Sequence, residues 1–125
     1  MVSVIITTFG GDSKLRRAIA SVLNQTYTDV EVIVVDDNDP KSEARAKTES
    51  IMQQYECDAR VVYLKHRHNM NGAAARNTGI KEARGSYIAF LDDDDYFFQN
   101  RLEKLVTVLD SDSSLAGVYT AVLMS

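Results

Sequence analysis

Short runs of Val and Ile alternate along this chain with stretches whose apolar residues recur every three or four positions. Val2-Ser3-Val4-Ile5-Ile6-Thr7-Thr8 is rich in β-branched residues and reads as a strand buried on both faces. After the loop Phe9-Gly10-Gly11-Asp12, residues Leu15, Ala18, Ile19, Val22 and Leu23 form one helical stripe, with Asp12 or Ser13 suited to cap it. Val30 to Val35 is a second strand run, followed by Asp36-Asp37-Asn38-Asp39-Pro40. Pro40 cannot continue a ladder, and the spacing predicts a helix from about Ser42 to Tyr55. Val61 to Leu64 is a short third strand. A polar loop, His66 to Asn71, leads to a helix of small residues from Gly72 to about Arg84-Gly85. Tyr87 to Leu91 is the fourth strand, Gln99 to Leu109 a helix with Leu102, Leu105, Val106 and Leu109 inward, and Leu115 to Leu123 a fifth strand.

Strands alternating with helices, and no hairpin turn between strand runs, predict an α/β fold of three α/β/α layers around a mostly parallel sheet. Asn71-Gly72 is a hairpin dipeptide, but a helical pattern follows it. The 125 residues fit a single domain, and a chain of this size buries about two-thirds of its unfolded surface. The sequence stops just after a strand-like run with no helix to cover it, so the expectation is a domain truncated before its second half. An uncovered terminal strand is also an edge through which copies can associate into a homo-oligomer.

Net charge is -4, and the basic residues are scattered, which disfavours a nucleic-acid surface. No apolar run approaches the roughly 20 residues that span a bilayer, so no transmembrane segment is encoded, while peripheral membrane association stays open. The single cysteine, Cys57, has no internal partner and suits a reducing, cytoplasmic setting. It is expected to pack near a helix end.

Chemistry concentrates at the carboxyl ends of the strands, where open parallel sheets bind ligands. The first strand delivers Thr7, Thr8 and Phe9, the second Asp36 and Asp37, and the fourth the run Asp92 to Asp95. Four adjacent carboxylates repel one another: the run is either a solvated acidic turn or the seat of a hard divalent cation such as Mg2+ or Mn2+, which relieves that repulsion while neutralising a diphosphate. Alternation along an extended segment puts Asp92 and Asp94 on one side. Asp36 or Asp37 can accept hydrogen bonds from a base or ribose, and Phe9 offers a face for base stacking, although packing over the first helix serves Phe9 equally well. The small residues from Gly72 onward let a helix start close to a ligand or pack close on the sheet, and helix N-termini favour anions. Arg76, one turn in, either reaches that anion or pairs with an aspartate. His66 and His68 read as exposed loop residues without a role. A nucleotidyltransferase would want Arg or Lys in the first loop, and a dinucleotide-dependent dehydrogenase a Gly-x-Gly-x-x-Gly turn; neither is present.

Four segments together resemble the amino-terminal half of the family 2 glycosyltransferases, which have the nucleotide-sugar-binding fold called GT-A. They are Val2 to Phe9, Ala20 to Tyr27, Glu31 to Asp39, and Asn71-Gly72 through Ala75-Arg76-Asn77-Thr78-Gly79-Ile80 to Asp95. The resemblance implies an enzyme: metal-assisted, inverting transfer of a sugar from a nucleotide-diphosphate sugar, a UDP-sugar, to the hydroxyl of a glycan or lipid-linked acceptor. It implies a metal, Mn2+ or Mg2+, on Asp94 with Asp92, and the ribose or sugar on Asp92 and Asp93. Thr7, Phe9 and Asp37 would line the base pocket, and Arg76 matches the family's arginine near the nucleotide. Phe9 stands where the family often has tyrosine, and Asp37-Asn38-Asp39 where it usually has Asp-Gly-Ser. The family's catalytic base and acceptor site lie in the second half, so no base is nominated. The alternative is a nucleotide-sugar-binding module without turnover.

Overall fold

The computed structural model describes residues 1–11 and 13–111. Its elements run β1 (Val2–Thr8), α1 (Leu15–Leu23), β2 (Val30–Asp36), α2 (Glu43–Met52), β3 (Val61–Lys65), α3 (Gly72–Glu82), β4 (Tyr87–Asp92) and α4 (Arg101–Ser111), with a 3-10 turn at Gln53–Tyr55 after α2. The order and type of these elements agree with the hydrophobic pattern. The fifth strand expected over Leu115 to Leu123 lies outside the described residues, as does Asp12. Of the two candidate caps for α1, Ser13 does not serve: Lys14 holds the N-cap position and makes no side-chain cap bond. Ser42 does cap α2, accepting the Arg45 N–H at 3.1 Å.

The four strands are parallel, in the order β3-β2-β1-β4. The chain steps outward from β1 to β2 to β3, then returns through α3 to the far side of β1. Right-handed crossovers in opposite directions put α1 and α2 on one face and α3 on the other. Val4, Ile6, Val32, Val34 and Leu91 accordingly pack with α1, α2 and α4, while Ile5, Ile33 and Val35 pack with Ala75 of α3. Leu102, Leu105, Val106 and Leu109 face inward from α4 as their spacing requires. Cys57, expected to pack, is exposed just after the 3-10 turn.

The reversal of strand order falls between β1 and β4. Register there sets Thr7 opposite Asp92, and on the other side of β1 sets Thr8 opposite Asp36. The two aspartate-bearing strand ends therefore flank the end of β1, at the place where this class of sheet leaves a crevice.

Candidate functional site

An open cleft of about 530 Å³ lies over this rim, lined by Thr7, Thr8 and Phe9 of the first loop, by Asp92 to Asp94, and by Asp37, Asn69, Asn71, Gly72 and Ala75. One wall is acidic. The chain does not stay extended after β4: the Asp95 N–H donates to the Asp92 carbonyl at 3.1 Å, closing a turn. That turn, rather than strand alternation, gathers the carboxylates of Asp92, Asp94 and Asp95, with one oxygen of each within 4.8 Å of the others. Asp95 was not among the metal ligands expected from sequence. Asp93 points elsewhere and accepts the Thr8 hydroxyl at 2.8 Å, which pins the acidic turn to β1. Arg17 of α1 holds the turn from outside, donating to the Asp94 carbonyl at 2.9 Å and lying over the Tyr96 ring at 4.7 Å. Three hard oxygen donors in reach of one another suit Mg2+ or Mn2+, so the residues present fit such an ion.

The opposite wall is organised by the second of two adjacent aspartates. Alternation sends Asp36 and Asp37 to opposite faces of the sheet. Asp36 is fully buried, 3.0 Å from Arg45 Nε and bonded by the Tyr63 hydroxyl and by the Asn38 amide at 2.8 Å. Burial, then the bond to Asp36, push the Tyr63 hydroxyl well above the usual phenol range. That occupancy removes Asp36 as a contact for a base. Asp37 faces the loop before α3, and its carboxylate takes four donors. One oxygen accepts His66 Nδ1 at 2.7 Å and the Met70 N–H at 2.9 Å; the other accepts the Asn69 amide at 3.1 Å and the Asn71 N–H at 3.0 Å. Burial acts to raise the Asp37 pKa, but the bonds from His66, Met70 and Asn71 outweigh it and hold the group below the ordinary carboxylate value. Asn71 has φ 115° and ψ 169°, a region costing a non-glycine residue about 1–3 kcal/mol. The bond to Asp37 and the Asn71 side chain, which caps α3 by accepting the Ala74 N–H at 2.9 Å, keep it there.

Residues 3–122 match the family described as glycosyl transferase family 2. The chain belongs to that family. One relative is the poly(ribitol-phosphate) beta-N-acetylglucosaminyltransferase TarP of Staphylococcus aureus (strain N315), 41% identical over 106 residues, 83% of this chain and 31% of that protein. The UDP-Glc:alpha-D-GlcNAc-diphosphoundecaprenol beta-1,3-glucosyltransferase WfgD of Escherichia coli is 35% identical over 109 residues, 87% of this chain and 41% of that one. The crystal structure of S. aureus TarS in complex with UDP-GlcNAc superposes with a TM-score of 0.76 at 26% identity, covering 88% of this chain and 31% of that one. The chain spans between 14% and 41% of the length of the curated relatives it matches.

Within this family 2 chain the structure brings together Thr7, Phe9, Asp37, Asp92, Asp93 and Asp94 of the residues expected from sequence. Arg76 is half-buried on α3 and is not among the lining residues; nor does it pair with an aspartate among the described residues. Phe9 does not pack over α1: it is 65% exposed at the mouth of the cleft. His68 is exposed as expected, but His66 is not. It is buried, and its ring bridges Asp37 and Thr78. Asn38, where the family usually has glycine, is also buried; it accepts the Gly10 N–H at 2.7 Å and so ties the first loop to the end of β2. The sequence signal for His66 is its position next to a strand end, and for Asn38 that position together with its departure from the glycine usual in the family.

Proposed function

We propose that this chain forms the donor side of a glycosyltransferase that takes a UDP-sugar, binds its diphosphate through a divalent cation, and passes the sugar to an acceptor hydroxyl. The observation that supports it most is the arrangement of the two walls. A carboxylate trio stands at the end of β4, a hydrogen-bonding aspartate stands on the opposite wall, and an exposed aromatic face lines the same cleft. Asp94, with Asp92 and Asp95, would hold Mg2+ or Mn2+. When bound, such an ion neutralises the diphosphate and stabilises the departing nucleoside diphosphate. Phe9 stacks on the base, Thr7 lines its pocket, and Asp93 sits where ribose or sugar hydroxyls come within reach. Asp37 accepts a base N–H by giving up the Asn69 amide, the one of its four donors carried on an exposed side chain. TarS with UDP-GlcNAc and WfgD, named for UDP-Glc, support a uridine donor. TarP and WfgD, named for a polymeric and a lipid-diphosphate-linked acceptor, support a glycan or lipid-linked acceptor.

Calorimetry with UDP tests the reading. Binding is expected in the presence of Mn2+, to fall at least about tenfold without the ion, and to be lost in Asp94→Ala. Equal UDP affinity with and without the ion would remove the metal from the proposal.

A further inference from the structure

His66 is not among the residues that line the cleft, yet each of its polar groups is engaged. Its N–H donates to the Asp36 carbonyl at 2.9 Å, and its carbonyl accepts the buried Arg45 guanidinium at 2.6 Å. In the ring, Nδ1 donates to Asp37 at 2.7 Å and Nε2 meets the Thr78 hydroxyl of α3 at 2.8 Å. One side chain, 8% exposed, thus joins the end of β2 to the second turn of α3.

We propose that His66 is the positioning residue of the base-side wall: by orienting the Asp37 carboxylate it sets the backbone of Met70 and Asn71, and with it the affinity for a nucleoside. The proposal rests on the reading of the cleft as a nucleotide-sugar site. A carboxylate offers about four acceptor positions, and here the protein fills all of them. His66 shares an oxygen with the Met70 N–H, so the direction of Nδ1 fixes how that oxygen faces the loop. The other oxygen then meets the Asn71 N–H, and Asn71 is, among the described residues, the non-glycine residue held at positive φ. A rotated Asp37 cannot satisfy both N–H groups, and Asn71, at a costly φ and ψ, is then held from the α3 side alone, through its cap on the Ala74 N–H. Thr78 completes the chain of contacts, so the ring cannot turn about Nδ1 without also leaving α3.

Two replacements separate donor chemistry from bulk. In His66→Asn the side-chain amide lies near the place of Nδ1 and keeps a donor on Asp37. In His66→Gln it reaches the place of Nε2, keeps Thr78 and abandons Asp37. The Gln variant is expected to speed amide hydrogen exchange at Met70 and Asn71 about tenfold and to weaken uridine binding by a similar factor; the Asn variant is expected to stay within about threefold of wild type on both. Mn2+ binding at the acidic turn is expected to be unchanged in either, which a general loss of structure would not allow. Equal losses in both variants, or unchanged exchange in His66→Gln, would overturn the proposal. A wild-type protein that binds no uridine would overturn the reading of the cleft instead, while the exchange data still decide the role of His66. Should the Gln variant fail to fold, uridine titration of the wild type decides: the His66 ring proton is expected to shift together with the Met70 and Asn71 amides, and a silent ring proton would overturn the proposal.

Discussion

Asp36 and Asp37 are chemically identical neighbours, and one peptide of alternation gives them different work. Asp36 turns toward α2 and closes an ion pair with Arg45; Asp37 turns toward α3 and organises the cleft wall. A third buried carboxylate, Glu31, sits at the other end of β2. The Ser3 hydroxyl, the Arg84 N–H at 2.7 Å and the Arg84 guanidinium at 3.1 Å all bond it. Burial pushes Glu31 up, but these bonds prevail and its pKa lies below the ordinary value, as does that of Asp37. The sign follows. A carboxylate lowered in the folded state binds fewer protons there than in the unfolded chain. Its contribution is therefore complete above the unfolded pKa and is lost as pH falls through the folded one. Glu31→Gln is expected to lower the urea midpoint most near neutral pH, and the gap to wild type is expected to narrow below about pH 4. A gap that stays constant with pH would show that Glu31 acts through shape rather than charge.

At the scale of elements, the strands and helices were legible because each has a period of its own. β1 and β2 are β-branched runs buried on both faces, and the stripes of α1 and α4 repeat at helical spacing. Loop 66–71 has no period, and its function depends on contacts far along the chain, such as the 29 positions between His66 and Asp37. The bend at Asp92–Asp95 is hard to place from sequence for a related reason: a run of one residue type carries no signal of where the chain turns, although the grouping of Asp92 with Asp94 holds. α3 shows the converse, since its small residues were legible as a sign of close approach, while which of two partners they approach was not. They allow either a ligand or the sheet to come close, and at Gly79 it is the sheet, because α3 lies tight on β1. A Cβ at Gly79 would come 2.6 Å from Ile5 Cγ2, and Ile5 is a buried β-branched side chain in the middle of a strand. Gly79→Ala is therefore expected to destabilise by about 1–3 kcal/mol in denaturant titration, although alanine is the better helix former by roughly 1 kcal/mol. Gly72→Ala, with open space around the added methyl, is the control expected to show no loss. Equal stability of both variants would mean that α3 can lift off β1 at little cost.

On the scale of the whole molecule, the acidic turn sets folding against binding. Asp92 and Asp94 are exposed and Asp95 half-buried, and the protein places their oxygens within reach of one another at the edge of a chain already at net charge -4. Folding alone gains nothing from that crowding, because like charges at this range repel. A ligand that carries positive charge into the turn reverses the sign. Any species that binds only the folded state stabilises it by mass action, by about 2.7 kcal/mol at a hundredfold excess over Kd. For a chain of this size that corresponds to a rise in Tm of roughly 10 °C with Mn2+ and UDP together. Asp94→Asn removes one charge and nearly no volume, so it separates the two effects. The variant is expected to melt a few degrees higher than wild type without ligand and to lose the rise produced by Mn2+ and UDP. A variant that melts lower and keeps the rise would mean that Asp94 serves the turn and not the ion. Higher stability with lost response is the signature of a residue kept for binding, and the three carboxylates would then share a cost that only the loaded protein recovers.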